Sequence, residues 1–298
     1  MKSLGLILGL LVLAAALLPA DVSAALEKAD ALHEEGAYEQ SRSVLESALA
    51  QAGGGAERAE ALWRLARAWL NIGEDAEERG ADADGLLAYY EKGEAYAVQA
   101  TEADPRNHLG YYWQSANVGK WGQTKGIMNA LAKAKPMRDL LQKALSLNPD
   151  HADSYYVLGQ LYEQVPGFPI SFGDKSYAVS LGRKSVDLRE AQVRSGKEKK
   201  LVYDYYTELA KHLWERNWNV SKRSKEQKKM AASYGGSSDP MEKNFYYEGT
   251  LTIGNVSDRE EALDILTSTV RQLEALGRRT EEQKDDLKEA KELLAEWK

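Results

Sequence analysis

The stretches Ala100–Tyr112, ATEADPRNHLGYY, and Ala144–Tyr156, ALSLNPDHADSYY, state one pattern twice, 44 positions apart. In each, an Ala is followed five residues later by a Pro, and a Tyr pair begins six residues after that Pro. A Pro cannot continue a helix interior and biases the residue before it away from helical backbone, so it marks a helix end. The aromatic pair then opens the next helix. A unit that closes a helix, turns at Pro and starts again is the mark of a stacked helical repeat. The pattern predicts an all-α chain, a right-handed superhelical stack of degenerate helical hairpins, built to present surface.

Composition agrees with a packed, soluble body. The chain has 298 residues, 43% of them apolar, and 46 acids against 39 bases give a net charge of −7. That balance argues against a nucleic-acid scaffold, which is usually basic. The basic runs Lys197–Lys200 and Lys222–Lys229 contain Glu198 and Glu226 and read as solvated faces. No Cys occurs anywhere, which excludes disulfides, thiol nucleophiles, thiolate metal sites and a lipid anchor on a terminal Cys.

At the N-terminus, Lys2, the apolar run Leu4–Leu18 and the small residues before Ala25 make the pattern of a cleaved export signal over residues 1–24. The run is shorter than the roughly 20 residues of a membrane span. The expectation is a periplasmic or secreted chain with no stable span after cleavage. Residues 25–233 then read as the helical-repeat region, 234–256 as an irregular connector and 257–298 as capping helices. The segment Gly119–Pro136 reads as an insert between paired helices, because units of this kind usually recur every 34 residues or so. Its part Lys120–Gly126 reads as a contacting loop anchored by Ile127, Met128 and Leu131. Leu201–Trp218 and Ser221–Ser233 read as a fifth helix pair, with Ser221 and Ser257 as helix caps.

The small and large positions Ala29, Leu32, Gly36, Tyr38, Leu45 and Ala48, with Tyr155, Leu158, Gly159 and Tyr162, resemble the tetratricopeptide-repeat superfamily. Within it, the stretches YYWQSANVGKW (Tyr111–Trp121), KALSLNPDHADSYYVLGQLYEQVPG (Lys143–Gly167) and FGDKSYA (Phe172–Ala178) resemble the exported T-component of tripartite transport systems. The same segment is more distantly similar to the regulators of microtubule dynamics. The first resemblance implies a periplasmic substrate-binding partner and a homo-oligomer. The second implies a cytoskeletal role, against which the export signal argues.

The repeat register places Asp153, Tyr156, Gln160 and Glu163 on one inward stripe, and Leu109, Tyr112, Ala116 and Gly119 on the stripe before it. With Trp121 and Lys125 from the insert, the expected partner-binding set is Tyr112, Ala116, Trp121, Lys125, Asp153, Tyr156, Gln160 and Glu163. Tyr and Trp, apolar bodies with hydrogen-bonding tips, suit a surface that grips a protein or peptide. The alternative is a small hydrophobic or anionic molecule held inside the array by Tyr112, Trp121 and Lys125. No catalytic site, metal site or cofactor is expected. His33, His108, His151 and His212 are dispersed without an H-E-x-x-H pair, and no G-x-S-x-G elbow or phosphate-binding Gly-Lys-Ser/Thr loop appears.

Overall fold

A computed structural model describes residues 22–297. The expected signal segment 1–24 lies almost wholly outside the described residues. Four helix pairs follow one another: α1 (Val22–Glu34) with α2 (Tyr38–Gln51), α3 (Gly55–Glu78) with α4 (Ala83–Ala103), α5 (His108–Lys125) with α6 (Ile127–Leu147), and α7 (Ala152–Gln164) with α8 (Lys175–Arg194). Apart from one isolated bridge between Gly167 and Gly173, the described residues form no β-pairing. The fold is an all-α helical repeat. Both turn prolines sit where the repeated pattern puts them, just after α4 and α6 end in the extended residues Asp104 and Asn148.

The stack is sealed by residues too small to hold helices apart. Ala48, Ala144 and Gly159 are all buried, as are Ala29, Ala97 and Ala178. Leu45 and Leu65 fill the seam of the first three helices, and Tyr155, Leu158 and Leu181 that of α6 to α8. Each burial of a Leu or Tyr side chain removes enough apolar surface to contribute about 1.5–3 kcal/mol.

The expected insert loop is helix. α5 continues through Lys120 to Lys125, turns at Gly126 (φ 102°), and α6 starts at once. The extra residues lengthen both helices of the pair. Gly119, expected on the inward stripe, and Gly122, expected in the contacting loop, are both buried packing positions on α5. A Cβ on Gly119 would lie 2.7 Å from Met137 Cε, and one on Gly122 3.1 Å from Ala130 Cα. Ile127 and Met128 do not anchor anything here: they are 85% and 74% exposed.

The tail departs from simple pairing. α9 (Asp204–Arg216) packs against α8 and takes α12 (Asp258–Ala275) as its main partner, not α10 (Val220–Gly236). So the expected fifth pair is not a hairpin. α10 packs instead on a 3-10 turn, Tyr247–Thr250, which follows the short α11 (Pro240–Phe245). Asn219, not Ser221, caps α10 by accepting from Lys222 N, whereas Ser257 and Glu260 form the expected reciprocal cap on α12. α13 (Glu281–Trp297) closes the chain, and its Trp297 stacks on Trp214 of α9 at 4.2 Å.

The loop after α8 spans the stack. Lys199 pairs with Glu34 of α1 at 3.3 Å, and Lys200 with Glu282 of α13 at 3.1 Å. Elsewhere, the 3-10 turn meets α10 through Gly249, where an added Cβ would come within 2.5 Å of the Met230 carbonyl carbon. Backbone cannot yield there as a flexible side chain would. Gly249→Ala is expected to destabilise the fold by about 1–3 kcal/mol, the usual effect of overpacking, seen as a lower urea midpoint. An unchanged midpoint would show that the turn does not pack on α10 in this way.

Candidate functional site

A cleft of about 340 Å³ opens where α3, α5, the α6–α7 turn and the end of α8 converge. Trp63, His108, Tyr112, His151, Asp153 and Arg189 supply its chemistry. The histidines that follow the two turn prolines meet here: the rings of His108 and His151 stand edge to face at 4.9 Å, and Tyr112 meets His151 at the same distance. His151 Nδ1 lies 2.7 Å from Ser154 Oγ, and His108 Nε2 lies 3.0 Å from Asn148 Nδ2. Burial depresses both imidazoles, that of His151 to about 4 against the pull of Asp153, so both are neutral near pH 7. The two histidines, dispersed in the sequence, thus form one half-buried aromatic wall.

One side of the cleft is braced by α9. The spacing of Asp153, Tyr156, Gln160 and Glu163 puts all four on one face of α7, as expected from the register. Each is taken up within the chain. Arg189 donates to Asp153 at 3.0 Å, and Tyr205 also donates to it. Tyr156 donates to Asp204, accepts from Gln160 Nε2 at 2.9 Å, and stacks on Tyr205 at 4.8 Å. Glu163 pairs with His212. Burial, then the adjoining Asp204, holds the Tyr156 hydroxyl far above its usual range, and burial raises Asp204 as well. These contacts hold α7 against α9, and through Asp153, gripped by Arg189 and Tyr205, they brace one edge of the cleft.

The other expected residues scatter. Tyr112 and Trp121 are nine residues apart on α5, which places them on opposite faces and roughly 13 Å apart along the axis. Trp121 packs with Leu70, Leu86 and Tyr90, donates to Glu91 at 3.0 Å and carries Lys133 over its ring. Ala116 joins that same cluster, and Lys125 is exposed at the end of α5. Of the eight, only Tyr112 and Asp153 line the cleft. The trio Tyr112, Trp121 and Lys125 does not converge on one ligand. Missed from the sequence were Trp63, which carries Arg64 over its ring at 4.2 Å, and Arg189. The position of each His just after a turn Pro was the one available signal.

A second apolar cavity, about 390 Å³, lies between the α5–α6 turn and the end of α7. Ile127, Met128, Leu131, Met137 and Val165 line it. No described helix is long and apolar enough to cross a membrane.

Residues 25–167 match the family model described as regulator of microtubule dynamics protein 1-3. Regulator of microtubule dynamics protein 1 of Bos taurus is 31% identical over 143 residues, covering 47% of this chain and 41% of that protein. Regulator of microtubule dynamics protein 3 of Bos taurus is 28% identical over 164 residues, covering 54% of this chain and 33% of the other. The chain thus spans about two fifths or less of the length of these relatives. Among solved structures, a thermophilic TPR protein of Thermus thermophilus aligns at 15% identity and a TM-score of 0.49, over 78% of this chain and 100% of that one.

The more distant of the two resemblances read from the sequence is the one these matches support. They also overturn the expected periplasmic or secreted location, since the relatives are regulators of microtubule dynamics. The transport-accessory expectation, drawn from the likeness to T-components, finds no support in these matches. The family match ends just past α7, so α8 to α13 lie outside it.

Proposed function

We propose that this chain is a non-enzymatic interaction module that seats an extended segment of a protein partner in the cleft beside Tyr112. The observation that carries this reading is the convergence of Trp63, Tyr112 and the His108–His151 pair on one opening, with Arg189 and Asp153 at its edge. Rigid aromatic faces give contact area at small entropic cost, and fixed charges of both signs set register. The braced α7–α9 wall means that little ordering is left to do on binding. The name of the relatives puts tubulin and proteins bound to microtubules first among the partners to test.

The test is direct binding of purified protein to stabilised microtubules and to an array of extended peptides, with wild type beside Tyr112→Ala. A central aromatic anchor should be worth about 2 kcal/mol or more, so affinity is expected to fall at least tenfold. Equal affinity for both proteins would remove the cleft from the proposal. A wild type that binds no protein or peptide would remove the interaction role itself.

One observation favours a second reading, capture of a small apolar molecule: the cavity beside Ile127 and Met128, whose walls are mostly apolar, with Gln123 and Gln164 among them. Displacement of a fluorescent apolar probe from wild type, but not from Leu131→Asp, supports it; no probe binding counts against it.

A further inference from the structure

We infer that Glu163, Glu208 and His212 form a binding site for one divalent transition ion of the zinc type, at the junction of α7 and α9. Their ligating atoms, a carboxylate oxygen from each Glu and a ring nitrogen from His212, lie within 4.8 Å of one another. Glu208 and His212 are one helical turn apart on α9, so both point to the same side, and α7 brings Glu163 to meet them. His212 Nδ1 pairs with Glu163 and lies 3.9 Å from Glu208 Oε1.

Several features make this more than a chance ion pair. The His212 ring is 1% exposed and fixed by close packing on two glycines. A Cβ on Gly159 would lie 3.0 Å from its Nε2, and one on Gly182 2.9 Å from its Cδ2. The ring is thereby aimed, with Nδ1 toward both carboxylates. Its Nε2 has no hydrogen-bond partner. Uptake of a metal ion would displace the proton that Nδ1 shares with Glu163, leaving a lone pair where two carboxylates converge. Lys211 holds the other Glu208 oxygen at 3.2 Å, leaving Oε1 for the ion.

The two carboxylates supply −2, and Lys211, shared between Glu208 and Glu289, offsets only part of it, so the site attracts a cation. One nitrogen and two oxygens suit zinc and its neighbours better than magnesium or calcium, which favour all-oxygen sets. Tetrahedral ligands around zinc stand roughly 3.4 Å apart, so to hold an ion Glu163 would swing away from Nδ1 and Glu208 Oε1 would close in from 3.9 Å. Three protein ligands leave a further position for water or for a donor from outside. The sequence reading expected no metal because it sought H-E-x-x-H; the spacing here is E-x-x-x-H, completed from another helix.

The experiment is calorimetric titration of chelator-treated full chain with Zn²⁺ and, separately, with Mg²⁺, beside His212→Gln and Glu163→Gln. The expected result is one zinc per chain, a raised melting temperature, much weaker magnesium binding, and at least tenfold weaker zinc binding in both variants. Glu163→Gln keeps a hydrogen bond to His212 and sits at the rim, so it decides the matter if His212→Gln fails to fold. Zinc that binds Glu163→Gln as tightly as wild type, or no zinc uptake by wild type, overturns the site. Neither result bears on the cleft beside Tyr112, which involves none of these three residues.

Discussion

Arg216→Ala is expected to destabilise the chain by about 3–5 kcal/mol, the usual consequence of removing one partner from a buried ionic network. Arg216 donates to Asp258 from Nε and from its second terminal nitrogen, both at 2.8 Å, and to Glu248 at 3.0 Å. Arg183 donates to Glu248 at 3.0 Å and holds Glu261 by two bonds of 2.8 Å, while Arg223 pairs with Asp258 at 3.0 Å. Glu248 and Asp258 are 1% and 0% exposed. The cluster is neutral overall, three cations against three anions, and it ties α8, α9, α10, the 3-10 turn and α12 to one another. Truncating Arg216 leaves two buried carboxylates short of partners. Urea unfolding of the variant measures the loss, and a change below about 1 kcal/mol would mean that the tail is held by apolar contacts instead.

The same cluster predicts a pH response. Opposed by burial, Arg216 and Arg183 hold the Glu248 carboxyl down at about 2 against 4.5. A depressed acid stabilises the fold above its unfolded value, so this contribution is complete above pH 4.5 and is lost as pH falls toward 2.

Asp286→Asn is expected to act the other way and stabilise the protein at pH 8 by about 1–3 kcal/mol. Asp286 is nearly buried where α13 docks on α9, beside Asp204, Glu282 and Glu289. Burial first, and then these like charges, raise it to about 7 from 3.8. A raised acid favours folding fully only below pH 3.8, and that advantage is lost as pH rises through 7. The gain from Asn should therefore be largest at pH 8, shrink steadily below pH 7 and vanish near pH 4. Paired urea curves across that range check it, and a variant less stable than wild type at pH 8 would contradict the crowding.

What could be read in the sequence was what short-range chemistry decides. Pro105 and Pro149 each follow a helix end, so the hairpins were legible although Pro136 lies inside α6, and so was the common face of Asp153, Tyr156, Gln160 and Glu163. Gly122 misled, and Gly119 began an expected insert, because a glycine has two uses: to let backbone turn and to let helices touch. Only the presence of Met137 and Ala130 opposite decides which. The tail was illegible for another reason. Arg183 reaches Glu261 across 78 positions and Arg216 reaches Asp258 across 42, and no local pattern announces such pairings. Within the cleft, Tyr112 could be found from repeat register, whereas Arg189 could not, because its role depends on where α8 ends.

The strap after α8 reaches the first helix through Lys199 on Glu34 and the last through Lys200 on Glu282, both exposed pairs. Solvated pairs of this sort hold with at most about 1 kcal/mol each and weaken as counterions crowd in. The link from the strap to the first helix is thus a weak surface one, while α8, α9, α10 and α12 are joined by buried charge. Ionic strength, rather than temperature, is the natural hand on that link.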